Sequence, residues 1–166
     1  MSRSQIDEIL ALLEVGEYPE ETRPILREVL AGDDAARKMR ALELTAELID
    51  DDRLAELHLS IIEDGDEAEE VRARAALALG PTIERCGWGS WNDPYDPPPV
   101  SRSCFNGLQR RLERVYRTAE VPRLVRRRVL EASVRAPQEW HRGAIRAAWN
   151  GDDDGWRRTA VFGMGE

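Results

Sequence analysis

Residues 69–80 read Glu-Glu-Val-Arg-Ala-Arg-Ala-Ala-Leu-Ala-Leu-Gly, and this stretch decides the fold. Apolar residues recur in it at spacings of three and four, as expected of an α-helix. Further alanine and leucine side chains widen the apolar face, so the helix has to be covered on more than one side. The stretch therefore predicts a short helix inside a stack of similar helices. Its apolar face is formed by Val71, Ala75, Ala76, Leu77, Ala78 and Leu79.

The ends of this helix, the fifth of the chain, are predicted from the flanking residues. Asp66 is the expected N-cap, with Glu69 three residues later as in a capping box. Gly80 and Pro81 are residue types that stop or kink a helix. We expect the helix to end beyond them, near Cys86.

Helical periodicity also marks eight other segments of the chain. Ser4, the acidic runs 50–52 and 152–154, and Pro122 at a first helical position mark where helices begin. The sequence therefore predicts an all-α fold. The other predicted helices cover residues 5–15, 21–31, 35–49, 53–63, 103–118, 122–135, 138–150 and 156–163.

The composition is that of one soluble domain. The chain has 166 residues, of which 42% are hydrophobic, and this is enough to bury a core. It has no apolar run of about 18 residues that would span a membrane. Its first residues contain no apolar signal core, so we expect a cytoplasmic protein without a membrane partner. Two cysteines are too few for a disulfide scaffold.

Charge is divided unevenly along the chain. Residues 1–100 hold 10 basic and 24 acidic residues, whereas residues 101–166 hold 14 basic and 8 acidic residues. The net charge of −8 therefore combines an acidic first part with a basic second part. This division is consistent with ordinary solvated helix faces, with head-to-tail association, or with an acidic partner at the second part.

Residues 87–102 interrupt the helical pattern. Four prolines, two glycines and three aromatic residues exclude a regular helix here. Long loops in compact domains are often functional, and aromatic side chains are enriched at binding hot spots. The aromatic residues Trp88, Trp91 and Tyr95 are therefore expected either to fold back over the core or to contact a partner.

A short motif, an apolar residue followed by arginine, opens four of the predicted helices. Successive motif arginines are 35, 54 and 31 residues apart. The long interval exceeds its neighbours by about 20 residues, which is close to the length of segment 87–102. This segment is therefore predicted to be an insertion between the two helices of one repeat. The aligned arginines are Arg37, Arg72, Arg126 and Arg157.

The pattern Asp-x-x-x-x-Val-Arg-x-x-Ala-Ala-x-Ala-Leu-Gly in residues 66–80 resembles the first helix of a HEAT repeat, of the short type found in phycobilin-lyase-like proteins. Residues 152–165 match it more loosely. The resemblance implies a single domain over residues 1–166, an α-solenoid of antiparallel helix pairs with about four pairs and a terminal half repeat. Second helices would line a concave face. The aligned arginine often bonds carboxylates of an adjoining repeat, which implies structural roles for Asp66, Arg72 and Arg157.

The last repeat has only its first helix, and the apolar side of that helix needs a cover. This predicts that the chain is a fragment of a longer solenoid, or that it self-associates through this end. The residues concerned are Trp156, Ala160, Val161 and Phe162.

No catalytic or metal-binding pattern is found in the sequence. His58 and His141 are the only histidines, and no Cys-x-x-Cys or His-x-x-x-His spacing occurs. Cys86 and Cys104 flank the insertion, where a disulfide is geometrically possible but disfavoured in the cytoplasm. No base is predicted beside either thiol. We therefore predict no enzymatic activity, no metal and no cofactor.

The expected function is a non-enzymatic scaffold that binds another protein through its concave face. One alternative, implied by the resemblance, is a bilin-lyase-like subunit that handles a chromophore. Another is nucleic-acid binding through the Arg-rich segment 101–150, which the overall acidity disfavours. Trp140 and Trp149 are better explained as core between repeats. The proposed partner contacts are the aromatic residues Trp88, Trp91 and Tyr95 and the second-helix arginines Arg110, Arg114 and Arg117.

Overall fold

The computed structural model describes residues 3–46, 48–89 and 91–165, and these form nine α-helices without a β-strand. The predicted all-α fold is confirmed. The predicted third helix extends over Glu47, which lies outside the described residues. No helix in the described ranges is long and apolar enough to cross a membrane. The helices are α1 (Arg3–Glu14), α2 (Thr22–Ala31), α3 (Ala35–Thr45), α4 (Asp52–Glu63), α5 (Glu69–Trp88), α6 (Arg102–Arg117), α7 (Arg123–Ser133), α8 (Glu139–Asn150) and α9 (Asp154–Gly165).

Each helix packs against close neighbours in the chain. The odd-numbered helices contact one another in order, α1 with α3, α3 with α5, α5 with α7 and α7 with α9. The helices α2, α4 and α6 do the same, and contacts of α2 with α3, α4 with α5, α6 with α7 and α8 with α9 join the two sets. Within the described residues, α6 and α8 do not pack this closely, and the rings of Tyr116 and Trp140 meet between them.

Helix α5 is buried on several sides, as its sequence predicts. It contacts α3, α4 and α7, and Ala75, Ala76 and Leu79 have no solvent exposure. The small side chains allow the neighbouring helices to approach closely. At Gly87, for example, an added Cβ atom would lie only 2.8 Å from the Cβ of Ala136.

The predicted break in α5 does not end the helix. It continues through Gly80 and Pro81 to Trp88, two residues beyond the predicted end. A proline inside a helix costs about 3 kcal/mol. The burial of Ile83 and Cys86 in the following turns offsets this cost.

The acidic runs cap helices as predicted. The Asp51 carboxylate accepts a hydrogen bond from the backbone N–H of Leu54 at 2.8 Å, at the start of α4. The Asp153 carboxylate accepts from Gly155 and Trp156 at the start of α9. The bond from Trp156 holds the pKa of Asp153 below its ordinary value, because it stabilises the charged form.

Three predicted helix starts are wrong. Asp66 is not the N-cap of α5, because its backbone N–H donates to the side chain of Asp64 in a preceding turn and Ala68 takes the N-cap position. Ser4 lies inside α1 rather than before it. Pro122 is the N-cap residue of α7 rather than its first helical residue. At Asp66 a local turn competes with the predicted cap.

Two of the four aligned arginines bond backbone carbonyls of the preceding helix rather than carboxylates. Arg72 is buried and donates from Nε to the backbone carbonyl of Ile62 at 2.9 Å. Arg126 donates from Nε to the carbonyl of Tyr116 at 2.8 Å, again ten residues earlier. Both carbonyls lie in the last turn of the preceding helix, where carbonyls lack helical partners. These two arginines therefore cap the helices before them.

The other two aligned arginines bind carboxylates. Arg37 donates to both carboxylate oxygens of Asp7 on α1, each at 2.9 Å, as the resemblance implies for adjoining repeats. Arg157 contacts only the nearby Asp152 and Asp154, at 3.9 and 3.4 Å, so its described ion pairs are local. The expected carboxylate partners in an adjoining repeat are thus wrong for Arg72 and Arg157.

Candidate functional site

Two of the three predicted aromatic residues face solvent, Trp88 in the last turn of α5 and Tyr95 in the loop between α5 and α6. The predicted loop 87–102 is thus shorter by Gly87, Trp88 and Arg102, which are helical. Trp88 is 82% exposed and Tyr95 is 95% exposed. Trp91 instead packs on Phe105, with ring centroids 5.7 Å apart, and the Arg102 guanidinium lies 5.5 Å from the Trp91 ring centre. Trp91 therefore covers the core, whereas Trp88 and Tyr95 are free to contact a partner.

Polar contacts fix the α6 end of this loop and shape its tip. Ser101 donates from its backbone N–H and its hydroxyl to the Asp52 carboxylate, at 2.7 and 2.6 Å. The Ser101 oxygen also accepts from the backbone N–H of Cys104 and so caps α6. At the tip, Asp93 accepts from the backbone N–H of Tyr95 at 2.8 Å. The exposed aromatic residues are therefore carried by an anchored segment.

The predicted arginines of α6 lie on one exposed face of that helix. Arg114 donates to Glu63 of α4 at 2.9 Å, and Arg117 donates to Glu113 at 2.8 Å. Arg110 forms no ion pair with any described residue. The face therefore retains positive charge that is only partly neutralised by neighbouring carboxylates.

Arg111, which the spacing did not single out, joins α6 to α4. Its guanidinium donates to Glu63 at 3.1 Å and to Glu56 at 2.6 Å. Its hydrogen bonds, with those of Arg114, hold the pKa of Glu63 below its ordinary value. Leu108 lies fully buried one turn earlier on α6. The α4–α6 junction is therefore closed by apolar and ionic contacts.

An open groove separates α6 from α8, and we call it the α6–α8 groove. Its walls include three half-buried aromatic residues, Tyr116, Trp140 and Trp156. The Tyr116 ring centre lies 5.1 Å from that of Trp140 and 6.2 Å from that of Trp156. Two adjoining cavities, of about 360 and 270 Å³, share Tyr116 and Ala147. Small residues of α8 complete the lining, namely Gly143, Ala144, Ala147 and Ala148.

Two polar hydrogens of the groove residues have no acceptor in the described part of the chain. The indole nitrogen of Trp140 is buried and unpaired. The Tyr116 hydroxyl forms no hydrogen bond either, and burial raises its pKa, so it is protonated at neutral pH. Buried donors without partners are uncommon in proteins. The Trp140 nitrogen is closed off from solvent, so the Tyr116 hydroxyl is the one of the two donors that the groove can offer to a ligand.

Charged residues surround the groove. Arg123 contacts Asp153 at 3.3 Å at one end. Arg142 and Arg146 lie on the exposed face of α8, and neither forms an ion pair with a described residue. Glu139 lines the groove beside Trp140. Arg142 lines a different cavity, with Ile145 and Gly163. The charged residues that line the groove itself are balanced, namely Arg117, Arg123 and Arg126 against Glu139, Asp152 and Asp153.

Sequence reasoning missed this groove. It assigned Trp140 to the core between repeats and Trp156 to an apolar side that needs a cover. The positions of the three aromatic residues at helix ends could have indicated the groove. Tyr116 lies in the last turn of α6, and the two tryptophans lie in the first turns of α8 and α9. Aromatic residues at three helix ends meet only once the helices are stacked.

The two histidines are buried and serve the fold. The Nδ1 of His58 donates to the Leu54 carbonyl at 2.8 Å, and its Nε2 accepts from the Thr45 hydroxyl at 2.9 Å. His141 takes the opposite tautomer. Its Nδ1 accepts from the backbone N–H of Gln138 at 2.7 Å, and its Nε2 donates to the Ser133 hydroxyl oxygen at 2.9 Å. We assign these tautomers from the partners. Burial lowers both pKa values to about 4, so the imidazoles are neutral at pH 7.

The two cysteines are buried free thiols. Burial raises the pKa of Cys86 to about 11 and that of Cys104 to about 12. Both are therefore protonated at neutral pH, and a protonated thiol is a poor nucleophile. In the described part of the chain, no three side chains of His, Cys, Asp or Glu are grouped so that they could hold a metal ion.

The last helix leaves apolar side chains uncovered. Ala160 is fully buried, but Val161, Phe162 and Met164 are exposed. An open cavity of about 670 Å³ is lined by Gly163 of the same helix and by Ile145 and Arg142 of α8. That another part of a longer solenoid or a second copy covers this side stays a prediction.

Known proteins give no further guide to the site. No family model matches the chain, and neither a curated protein nor a solved structure is significantly similar to it. The resemblance of residues 66–80 and 152–165 to HEAT repeats therefore enters below only as part of a proposal.

Proposed function

We propose that this chain is a non-enzymatic scaffold, an α-solenoid of HEAT-like antiparallel helix pairs, that binds another protein. The observation that carries the binding role is the exposure of Trp88 in the last turn of α5 and of Tyr95 on a loop anchored by Trp91. Large aromatic residues dominate binding hot spots, and surface patches of them mark interaction sites. Their presentation on a helix end and an anchored loop lowers the entropy lost on binding.

The packing order supports the solenoid. In a solenoid each repeat contacts only its neighbours, so each helix meets the next helix and the next but one. The contacts of α1, α3, α5, α7 and α9 follow this order. The equal offset of the Arg72 and Arg126 hydrogen bonds, each to a carbonyl ten residues earlier, supports a repeated unit.

The state of the reactive side chains supports a binding role rather than catalysis. A general base works best with a pKa near the working pH, and a nucleophilic cysteine needs a lowered pKa. The histidine values lie near 4 and the cysteine values near 11 and 12. All four side chains are buried in the core.

The experiment that tests this proposal is affinity capture from a cell lysate followed by titration of the captured protein in purified form. The variant combines Trp88→Ala with Tyr95→Ala. Truncation of hot-spot aromatic residues costs about 2 kcal/mol or more, so affinity should fall by at least about tenfold. The matched control is Tyr18→Ala, which removes another exposed aromatic residue, 63% exposed, from the α1–α2 turn and should bind as the wild type does.

Two results would overturn the proposal. Equal affinity of the wild type and the double variant would show that the loop aromatic residues are not the recognition element. Recovery of nucleic acid instead of protein, lost after nuclease treatment and steeply weakened by salt, would favour the Arg-rich segment as a nucleic-acid surface.

A further inference from the structure

We infer that this chain binds a second copy of itself head to tail, so that α8 and α9 of one copy pack on α1 and α2 of the next. The inference goes beyond the proposed function and does not rest on it, because it concerns other surfaces and another partner. It is carried by two unpartnered helix faces and by the unpaired charges beside them.

The two outer helices of the odd-numbered row each leave one face without a neighbour. In the described part of the chain, α3, α5 and α7 each lie between two odd-numbered helices. By contrast, α1 closely contacts only α3 of this row, and α9 only α7. A helix of a second copy could therefore continue the row at either side.

Both of these open faces carry exposed apolar side chains. On α1, Ala11 is exposed and Val15, one turn later, is 72% exposed. On α9, Val161 and Met164 are each 58% exposed, and Phe162 is exposed beside them. Exposed apolar patches mark interaction surfaces, and packing one face on the other would remove both patches from water.

The surface formed by α1, α2 and the turn between them is acidic. Four of its carboxylates are exposed and form no ion pair with a described residue. Both arginines of α2 are already paired with Asp50 and Asp51, beside the start of α4. The unpaired charge of this surface is therefore negative. The four carboxylates are those of Glu8, Glu17, Glu20 and Glu21.

The exposed surface of α8 and α9 has the opposite balance. Arg142, Arg146 and Arg158 are exposed and form no ion pair with a described residue, whereas Glu139 is the one such carboxylate in the two helices. The carboxylates of residues 152–154 are already paired with arginines. Arg142 lines a cavity with Gly163 of α9, and Arg158 lies one turn before the exposed apolar residues. The unpaired charge beside the apolar patch is therefore positive.

The contacts between α1 and α3 indicate the direction in which a second copy stacks. Arg37 bonds Asp7 and Arg40 bonds Glu14, so positions along the two helices increase together. When α1 of a second copy lies along α9 in the same direction, its Glu8 lies beside Arg158, because these are the sixth and fifth residues of their helices. A two-fold contact between two α9 faces would instead bring the unpaired arginines of both copies together, where like charges repel. The charges therefore favour a head-to-tail contact.

The first test is sedimentation equilibrium of the full chain. Two different surfaces form the contact, so each added copy leaves one of each free and association continues beyond a dimer. The weight-average mass should therefore rise past that of a dimer at protein concentrations up to about 1 mM, where even weak contacts are populated.

Two charge-reversal variants locate the surfaces. One combines Glu8→Arg with Glu21→Arg, and the other combines Arg142→Glu with Arg158→Glu. All four side chains are exposed and form no ion pair with a described residue, so the fold should not change. Each variant alone should associate at least about tenfold more weakly than the wild type, because like charges then meet. An equimolar mixture should regain association, because each surface then finds one of opposite charge.

The matched control combines Arg53→Glu with Arg110→Glu, two exposed arginines of α4 and α6 without a described ion pair, and should associate as the wild type does. A wild type that stays monomeric would overturn the inference. So would a dimer that persists in both charge-reversal variants, or a mixture of the two that fails to associate. The variant that combines Trp88→Ala with Tyr95→Ala should still self-associate, so the head-to-tail contact and the proposed function are tested separately.

Discussion

Helix α6 has a closed side and an open side. Toward α4, Leu108 is fully buried and Arg111 bonds Glu56 and Glu63, so apolar and charged groups are both satisfied. Toward α8, aromatic rings lie between the helices, and the indole N–H of Trp140 has no acceptor among the described residues. One helix of 16 residues thus carries both a structural contact and a surface suited to binding.

The difference shows how a stack of helices can acquire a binding site. Close packing needs small or interdigitating side chains at every contact. Where a helix pair instead meets through large rings beside Gly143 and Ala147, space is left between the backbones. The stability of that part then depends on the neighbouring helices α7 and α9, which contact each other, and on α8 packing against α9.

The largest expected effect comes from breaking the closed side. Leu108→Ala removes a fully buried side chain between α4 and α6. Such changes lower the free energy of unfolding by about 2–5 kcal/mol, because they remove apolar contacts and leave a cavity. Urea denaturation followed by circular dichroism measures this loss. A loss below about 1 kcal/mol would mean that the junction is not closely packed.

A second prediction concerns the histidines on either side of α6, His58 in α4 and His141 in α8. Both have a folded-state pKa of about 4, below the ordinary value of about 6.5. The unfolded chain therefore binds protons first as the pH falls. The contribution of the two histidines to the free energy of unfolding is full above pH 6.5 and declines toward pH 4. Between pH 7 and pH 5, each histidine should lower the free energy of unfolding by about 2 kcal/mol.

Urea denaturation of the wild type and of His58→Gln at pH 7 and pH 5 measures this effect. The lowered carboxylate pKa values, such as that of Glu63, contribute mainly below this window. In His58→Gln, the difference in the free energy of unfolding between pH 7 and pH 5 should therefore be about half of the wild-type difference. An unchanged dependence would show that His58 is protonated, or exposed, in the folded protein at pH 5.

A smaller effect is expected from the ionic contacts. Arg111→Met removes the bonds to Glu56 and Glu63, which are partly exposed, so we expect a loss of about 1 kcal/mol that shrinks in high salt. Arg110→Met on the same helix is the control, because Arg110 has no ion pair with a described residue. Equal effects of both changes in thermal melts would mean that Arg111 does not seal the junction.

The smallest expected effect comes from adding a methyl group at a glycine beside open space, Gly143, and at a glycine in close contact with another segment, Gly87. Gly143→Ala should raise stability by about 0.5–1 kcal/mol, because alanine favours the helix and its Cβ meets open space. Gly87→Ala should lower stability, because its Cβ would lie 2.8 Å from that of Ala136. If both variants changed the melting temperature in the same direction, the surroundings of Gly143 and Gly87 would not differ in packing as described.

The sequence was sufficient for the helices because their signals are local. Periodicity located all nine helices of the described residues, and the acidic runs supplied the caps Asp51 and Asp153. Asp66 failed as a cap because Asp64, two residues earlier, already forms a turn with it. The spacing of Arg110, Arg114 and Arg117 correctly placed them on one exposed face, because helical spacing fixes the face.

The candidate site was less accessible to sequence reasoning. Trp88, Trp91 and Tyr95 fall in one predicted loop, yet only contact with Phe105 decides that Trp91 is covered. The α6–α8 groove depends on residues from three helices, and its unpaired Trp140 N–H follows from packing rather than from spacing. Features made by distant residues need the fold before they can be recognised.

The most direct test of the account is a titration of the ¹⁵N-labelled protein with the purified captured partner, read from the indole N–H signals of its five tryptophans. A partner that binds through Trp88 and Tyr95 should shift the signal of Trp88, which is 82% exposed, and leave that of Trp156 on α9 in place. Shifts confined to Trp149 or Trp156, or no shift at all, would contradict the claim that the exposed aromatic residues between α5 and α6 are the recognition element.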